Sequence, residues 1–191
     1  PSNDYDDDDD DGDRYANNSR SMAAMREDIP FSVGISFGEH LKAQIYLTKM
    51  DKPDRHIAKF VVGNIDGDGY LRRTTEELVD DLAFREGITV SEEKMQEIID
   101  QVKQFDPSGV GAYDLQECLL LQLQAKEQTP EVKLAETIIS KAFQTFSKKQ
   151  YTKLTQKFDI TEEQLKAAIA EIRRLNPKPG SSWIGTVYDR N

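Results

Sequence analysis

Apolar side chains recur three or four residues apart along most of the chain after Phe31, which is the spacing of one buried face on an amphipathic helix. The first half of this pattern predicts a helix at 38–50, a second helix that ends near Gly63, a short helix opened by Thr74 and another opened by Ser91. The sequence has no alternating apolar and polar run of strand length. The pattern therefore predicts an all-α fold.

The second half of the pattern begins with a leucine-rich segment at 112–125. Its leucines cover most of the circumference of a helix, which is typical of a helix at the centre of a fold. Thr129–Pro130 has the form of a helix start, and further helices are expected near 148–157 and 161–175. We expect these helices to form two small bundles, or lobes, joined in one elongated module.

Charge separates the chain into three regions. The net charge of −10 divides into −7 over residues 1–30, −7 over 31–127 and +4 over 128–191. The first region contains the unbroken acidic run Asp6–Asp11 and is expected to be a disordered acidic linker, because it repels itself and has little to bury. The second and third regions are expected to be the first lobe and the second lobe with its exit segment. The basic charge of the last region is weak evidence for nucleic acid nearby.

The sequence also narrows the class of protein. No apolar run approaches the roughly 20 residues of a membrane-spanning helix, and no basic leader precedes an apolar stretch. We therefore expect a cytoplasmic protein with no membrane partner. The chain begins at Pro1 without a methionine, so we expect it to be part of a longer natural protein.

One loop is similar to a calcium site. Residues 64–75 approximate an EF-hand loop, with Asn64, Asp66 and Asp68 at its first three ligand positions. Thr75 stands where the bidentate Glu is required, which weakens the match. A structural turn is the favoured interpretation, and a calcium-binding helical protein remains an alternative.

Other candidate chemistry is weaker still. Gly109 and Gly111 lack the preceding strand and the following Lys of a phosphate-binding loop. His40 and His56 lie on separate expected helices without a Cys at ligand spacing, and Cys118 is expected to be a buried apolar residue. We therefore expect neither a catalytic site nor a cofactor.

Four stretches of the sequence, taken in order, resemble the core-binding region of sigma-54 (sigma-N) factors. They are Asn64–Leu71, Phe105–Ala112 followed by Asp114–Leu115, Glu117–Leu123 and Leu175–Gly180. The acidic residues 1–30 are similar in composition to the acidic linker of that family. The residues that carry the match are Asp66, Gly69, Tyr70, Leu71, Phe105, Asp106, Pro107, Gly109, Val110, Gly111, Asp114, Leu115, Pro177, Pro179 and Gly180.

The resemblance implies a non-catalytic helical module that docks on the core enzyme of bacterial RNA polymerase. It implies that promoter DNA and an ATP-driven activator are partners only of the full-length factor, whose promoter-reading and activator-responsive regions we expect to be absent from this chain. The motif residues would either contact polymerase or brace the turns. Tyr113 stands where the family usually has Arg, so no contact is carried over to it. A helical adaptor unrelated to transcription remains a further alternative.

Overall fold

A computed structural model describes residues 35–183, and the acidic residues 1–30 lie outside this range. Within it the chain forms nine named helices and no strand, with one isolated parallel bridge between Tyr70 and Ala112. A further helical turn begins at 179 and reaches 183. The expected all-α fold is therefore confirmed. The helices are α1 (Phe37–Ile45), α2 (Lys52–Gly63), α3 (Thr75–Glu86), α4 (Glu92–Val102), α5 (Leu115–Gln124), α6 (Pro130–Lys141), α7 (Phe143–Ser147), α8 (Tyr151–Phe158) and α9 (Glu162–Arg173).

The helix starts follow local capping chemistry. Ser36 and Thr161 each form a reciprocal capping box, with Glu39 and Gln164 respectively, as their spacing predicts. Thr74 accepts a hydrogen bond from the N–H of residue 77, but the Glu77 side chain pairs with Arg73 instead of returning to the cap. Most predicted starts are therefore confirmed because they depend on neighbouring residues alone.

The helix ends differ more from the prediction. The predicted helix at 38–50 stops at Ile45, where the Thr48 hydroxyl donates to the Ile45 carbonyl over 2.6 Å. Leu47, in the turn that follows, is 85% exposed. The predicted helix from 112 begins at Leu115, because Asp114 is its N-cap. These boundaries were wrong by a few residues.

Two apolar clusters form the interior. The first is built from α1 to α4 and includes the fully buried Leu41, Leu78 and Ile98. The second is built from α5 to α9 and includes Leu123 and Ile138. Because α5 packs on α6 in the second cluster, we propose that the second lobe begins with α5, ahead of the boundary after residue 127 predicted from the sequence.

None of the helices that the structure describes combines the length and the apolar character needed to cross a bilayer.

Candidate functional site at the joint between the lobes

The stretches that carry the family resemblance meet in one region between the two clusters. They contribute two turns of the first lobe, the helix α5 and the segment that follows α9. We call this region the joint. It comprises residues 64–71, 105–112, 114–123 and 175–181.

Backbone hydrogen bonds tie the two turns of the joint together. The Leu71 N–H donates to the Ala112 carbonyl over 2.9 Å, and the Gly111 N–H donates to the Gly69 carbonyl over 2.9 Å. These bonds make the isolated parallel bridge. Two segments about forty residues apart in sequence are thereby held in one register.

The exit segment packs directly on the first turn through glycine. The Gly180 N–H donates to the Asp68 carbonyl over 2.9 Å. A Cβ added at Gly180 would lie 2.8 Å from both the Asp68 carbonyl carbon and the Gly69 nitrogen, closer than real Cβ atoms approach backbone. Gly69 has a φ of +100°, and a Cβ there would lie 3.0 Å from the Pro179 ring. Gly69 and Gly180 are therefore required by the close approach of two backbones.

Tyr70 connects the same two segments through its side chain. Its ring is 4% exposed and packs with Ala112 and Cys118 in a small cluster of its own. Its hydroxyl donates to the Pro177 carbonyl, and burial raises the pKa of Tyr70 well above its usual range. The neutral phenol is therefore the form that the joint holds. The Arg72 guanidinium lies 4.5 Å from the centre of the same ring.

Gln122 holds the exit segment against α5. It is the one buried polar side chain in the described part of the chain. Its Nε2 donates to the Asn176 carbonyl over 2.6 Å, and its Oε1 accepts from the Asn176 N–H over 2.8 Å. Gly109 leaves room for this amide, since a Cβ at Gly109 would lie 2.8 Å from Nε2. The sequence prediction did not select Gln122, because a glutamine in a leucine-rich helix resembles a solvent-facing residue.

The second turn is fastened to α1. The Gln44 amide donates to the Asp106 carbonyl over 2.7 Å and accepts from the Asp106 N–H over 2.8 Å. His40 Nε2 lies 2.9 Å from the Asp106 carboxylate, and its ring stacks on Trp183 at 4.8 Å between centroids. Phe105 and Val110, at either end of the turn, are buried in the first cluster, and the intervening Asp106–Pro107 bond is cis. The sequence prediction did not place Gln44 at this turn.

The side chains proposed for the calcium alternative make hydrogen bonds within the chain. The Asn64 amide donates to the Phe60 carbonyl over 2.8 Å. Asp66 Oδ1 accepts from the N–H groups of Asp68 and Tyr70, each over 3.0 Å, and its Oδ2 pairs with Arg72 at 3.2 Å. Asp68 Oδ1 accepts from the Ser181 hydroxyl over 2.7 Å. No group of three or more His, Cys, Asp or Glu side chains in residues 35–183 could hold a metal ion. The loop acts as a hydrogen-bonded turn of the joint.

The other candidate residues, at the start of α5, differ in how deeply they are buried. Asp114 caps α5 by accepting from the Glu117 N–H over 2.9 Å. Leu115 and Tyr113 are 42% and 50% exposed. Cys118 is buried, and burial raises the pKa of its thiol. The buried motif residues thus brace the joint, whereas Asp66, Asp106, Leu115 and Pro177 are exposed and offer side chains to a partner.

Comparison with known proteins matches most of the chain to one family. A family model described as the sigma-54 factor, core binding domain, matches residues 31–188. The RNA polymerase sigma-54 factors of Pseudomonas putida and Azotobacter vinelandii are 34% and 35% identical to this chain over 151 residues, 78% of the chain and 30% of each relative. That of Escherichia coli K12 is 32% identical over 145 residues, 75% of the chain and 30% of the relative. The chain spans less than a third of the length of these relatives.

Proposed function

The chain belongs to the sigma-54 factor family through its core-binding domain, and from this premise we propose that it docks on the core enzyme of bacterial RNA polymerase. In a full-length factor, this docking contributes to promoter-specific transcription initiation that depends on an activator. Promoter DNA and the ATP-driven activator are partners of that longer protein. The working compartment is then the bacterial cytoplasm.

The observation that carries this proposal is that the family's motif stretches, far apart in the sequence, meet in one region of the structure. A docking module has to present two helical lobes in one fixed arrangement, because a surface ordered before binding loses less conformational entropy when it binds. Backbone bonds, two close-packed glycines and the Gln122 amide hold the joint in that way. Catalytic groups are not needed for such a role.

The exposed apolar residues suggest where the first lobe would contact polymerase. Phe84 on α3 is 89% exposed and Tyr46 at the end of α1 is 55% exposed. Aromatic side chains are enriched among the residues that dominate interface energies, whereas leucine is under-represented. Phe84 is therefore our preferred anchor. Leu47, which is 85% exposed, offers a control of similar exposure.

A titration of purified core polymerase into the fluorescently labelled chain tests docking directly. We expect saturable binding at moderate salt that an unlabelled full-length sigma-54 factor displaces. Absence of binding under these conditions would make the proposal wrong. Binding that the full-length factor does not displace would indicate a different site and would also contradict it.

Phe84→Ala tests the anchor in the same assay. We expect it to weaken docking at least about tenfold, equivalent to about 1.4 kcal/mol, with the melting temperature unchanged because the ring packs on little. Leu47→Ala should change the affinity much less. Equal losses in the two variants would contradict the assignment of Phe84.

A further inference from the structure

A basic segment stands out in an otherwise acidic chain. Residues 137–158 contain no Asp or Glu, although the whole chain carries a net charge of −10. The segment covers the end of α6, all of α7 and all of α8. It contains five lysines, all exposed: Lys141, Lys148, Lys149, Lys153 and Lys157. We call these five residues the lysine patch.

The lysine patch is compact. Lys153 and Lys157 lie one turn apart on the same face of α8. The Lys157 ammonium donates to the Lys141 carbonyl over 3.2 Å, which brings the end of α6 against α8. Lys148 and Lys149 lie in the short connection between α7 and α8, two helices that contact each other. The five lysines therefore lie on three neighbouring segments of the second lobe: the end of α6, the connection after α7, and α8.

The fold does not use these charges for its own ion pairs. Within residues 35–183, none of the five lysines lies within ion-pair distance of an Asp or Glu carboxylate. Other lysines of the chain do pair, such as Lys94 with Asp54 at 2.8 Å and Lys126 with Glu171 at 3.0 Å. Five like charges repel one another in the free protein, so an anionic partner would relieve this repulsion.

A groove on the other side of α8 offers further donors. It has a volume of about 580 Å³, and its lining includes the side chains of Tyr151, Thr152 and Thr155 together with the cations Lys166 and Arg173. Glu162 also lines it. Hydroxyl groups and exposed cations of this kind are common contacts of phosphate oxygens. The second lobe thus presents suitable donors on both sides of one helix.

We infer that the lysine patch binds the phosphodiester backbone of duplex DNA without reading its sequence. Lysines on flexible stems act as point charges, and the patch contains no Arg, Asn or Gln pair suited to two-pronged recognition of a base edge. Neutralising phosphates releases condensed counterions, which supplies most of the affinity of such contacts. The choice of DNA over other polyanions rests on the proposed function, because a polymerase-bound factor lies near DNA.

Fluorescence anisotropy of a short labelled duplex of arbitrary sequence, titrated with the full chain at increasing NaCl concentration, tests this inference without polymerase. We expect an association constant that does not depend on duplex sequence. Its logarithm should fall linearly with the logarithm of the salt concentration, with a slope of about −0.9 for each phosphate neutralised. A dependence on duplex sequence would overturn the inference.

The triple variant Lys149→Gln, Lys153→Gln, Lys157→Gln locates the site on the chain. It should weaken binding at least about tenfold at low salt and reduce the salt slope by about one for each phosphate that is no longer neutralised. The matched control is Lys42→Gln, Lys49→Gln, Lys52→Gln, which removes the same charge from three exposed lysines of the first lobe and should leave binding unchanged. Circular dichroism melts check that both variants fold. Equal losses of affinity in the two triple variants would overturn the inference.

Two further outcomes separate this inference from its competitors. In the first, the duplex does not bind, and replacing Asp6–Asp11 by Asn shifts the NMR signals of α8. The lysine patch then binds the chain's own acidic segment, and the assignment to DNA is wrong. The titration with core polymerase is independent of both results. In the second outcome, the chain fails to dock on polymerase but binds DNA through α8. This result would contradict the proposed function, whereas the assignment of the lysine patch as a DNA-binding site would stand.

Discussion

At the scale of single residues, the joint depends on side chains that are small, neutral or fully hydrogen-bonded. Gly180 and Gly69 allow two backbones to touch, and Gln122 forms hydrogen bonds with both backbone polar groups of Asn176. Tyr70 and Cys118 are buried beside each other, and both keep their protons because burial raises the pKa of each. Each of these features can be removed by one substitution.

Gly180→Ala should destabilise the chain by about 1–3 kcal/mol, because the added methyl group overlaps the backbone of residues 67–69. Urea denaturation at neutral pH measures the change. Gly67→Ala is the matched control, since it lies in the same turn with no atom within 4 Å of its added Cβ, and it should alter stability by less than about 0.5 kcal/mol. Equal stability of Gly180→Ala and the unsubstituted chain would show that the close approach at Gly180 is absent in solution.

The buried thiol predicts a loss of stability at alkaline pH. An unfolded cysteine releases its proton near pH 8.5, whereas burial raises the pKa of Cys118 in the folded chain. The stabilisation that comes from the protonated Cys118 thiol is therefore fully present below the pKa of the unfolded chain. It is lost as the pH rises through the pKa of the thiol in the folded chain. From about pH 8.5 upward, the free energy of unfolding should fall with rising pH, by at most about 1.4 kcal/mol per pH unit.

Urea denaturation across this pH range measures that fall, and Cys118→Ala is the comparison. The variant should be less stable at pH 7, because its smaller side chain fills the buried site less well, but its stability should change less with pH. A pH dependence that is the same in both chains would rule out Cys118 as its origin.

At the scale of helices, side-chain capping marks the start of most helices, although α7 and α8 begin without such a cap. α5 begins at Leu115 because Asp114 accepts a hydrogen bond from the first turn. α1 stops at Ile45, where the Thr48 hydroxyl donates to the Ile45 carbonyl. α6 stops at Lys141, and Phe143 and Phe146 then pack on the second cluster from the separate helix α7.

Asp114→Ala should cost about 1 kcal/mol, because it removes the N-cap hydrogen bond of α5. Thermal and urea denaturation measure the loss. Asp114→Asn keeps an oxygen acceptor at the same position and should stay within a few tenths of a kcal/mol of the original chain. If Asn destabilises as much as Ala, the role of Asp114 is not capping.

At the scale of the whole molecule, the joint connects the two apolar clusters through contacts between distant parts of the chain. Contacts between Gly180 and the first turn, and between Tyr70 and Pro177, connect segments more than a hundred residues apart. Under the proposed function, the surface that docks on polymerase would therefore depend on residues that need not touch polymerase. Variants of the joint are expected to weaken docking through the arrangement of the lobes.

Tyr70→Phe should loosen the joint while both cores remain packed, because it removes one hydroxyl and leaves the Pro177 carbonyl without that donor. We expect a loss of about 1 kcal/mol and faster hydrogen exchange at the Gly180 and Leu71 amides, with little change for amides of α4 and α6. Tyr113→Phe, which alters an exposed phenol, is the control and should change neither quantity. Uniformly faster exchange throughout the Tyr70→Phe chain would contradict a local role.

The helical class, most helix starts and the family could all be predicted from the order of the amino acids. Ser36, Thr129 and Thr161 act on backbone groups two or three residues away, so their effect can be derived from sequence spacing. The burial of Cys118 within its leucine-rich segment was predictable in the same way, and the prediction is confirmed.

The meeting of the family's motif stretches in one joint became visible only in three dimensions. Asp68 and Gly180 are separated by 112 positions, and no local periodicity reports that their backbones touch. Gln122 could not be distinguished from a surface glutamine until Asn176 was placed beside it. The physical reason is range: capping and helical periodicity act within one or two turns, whereas the joint arises where two separately packed cores meet.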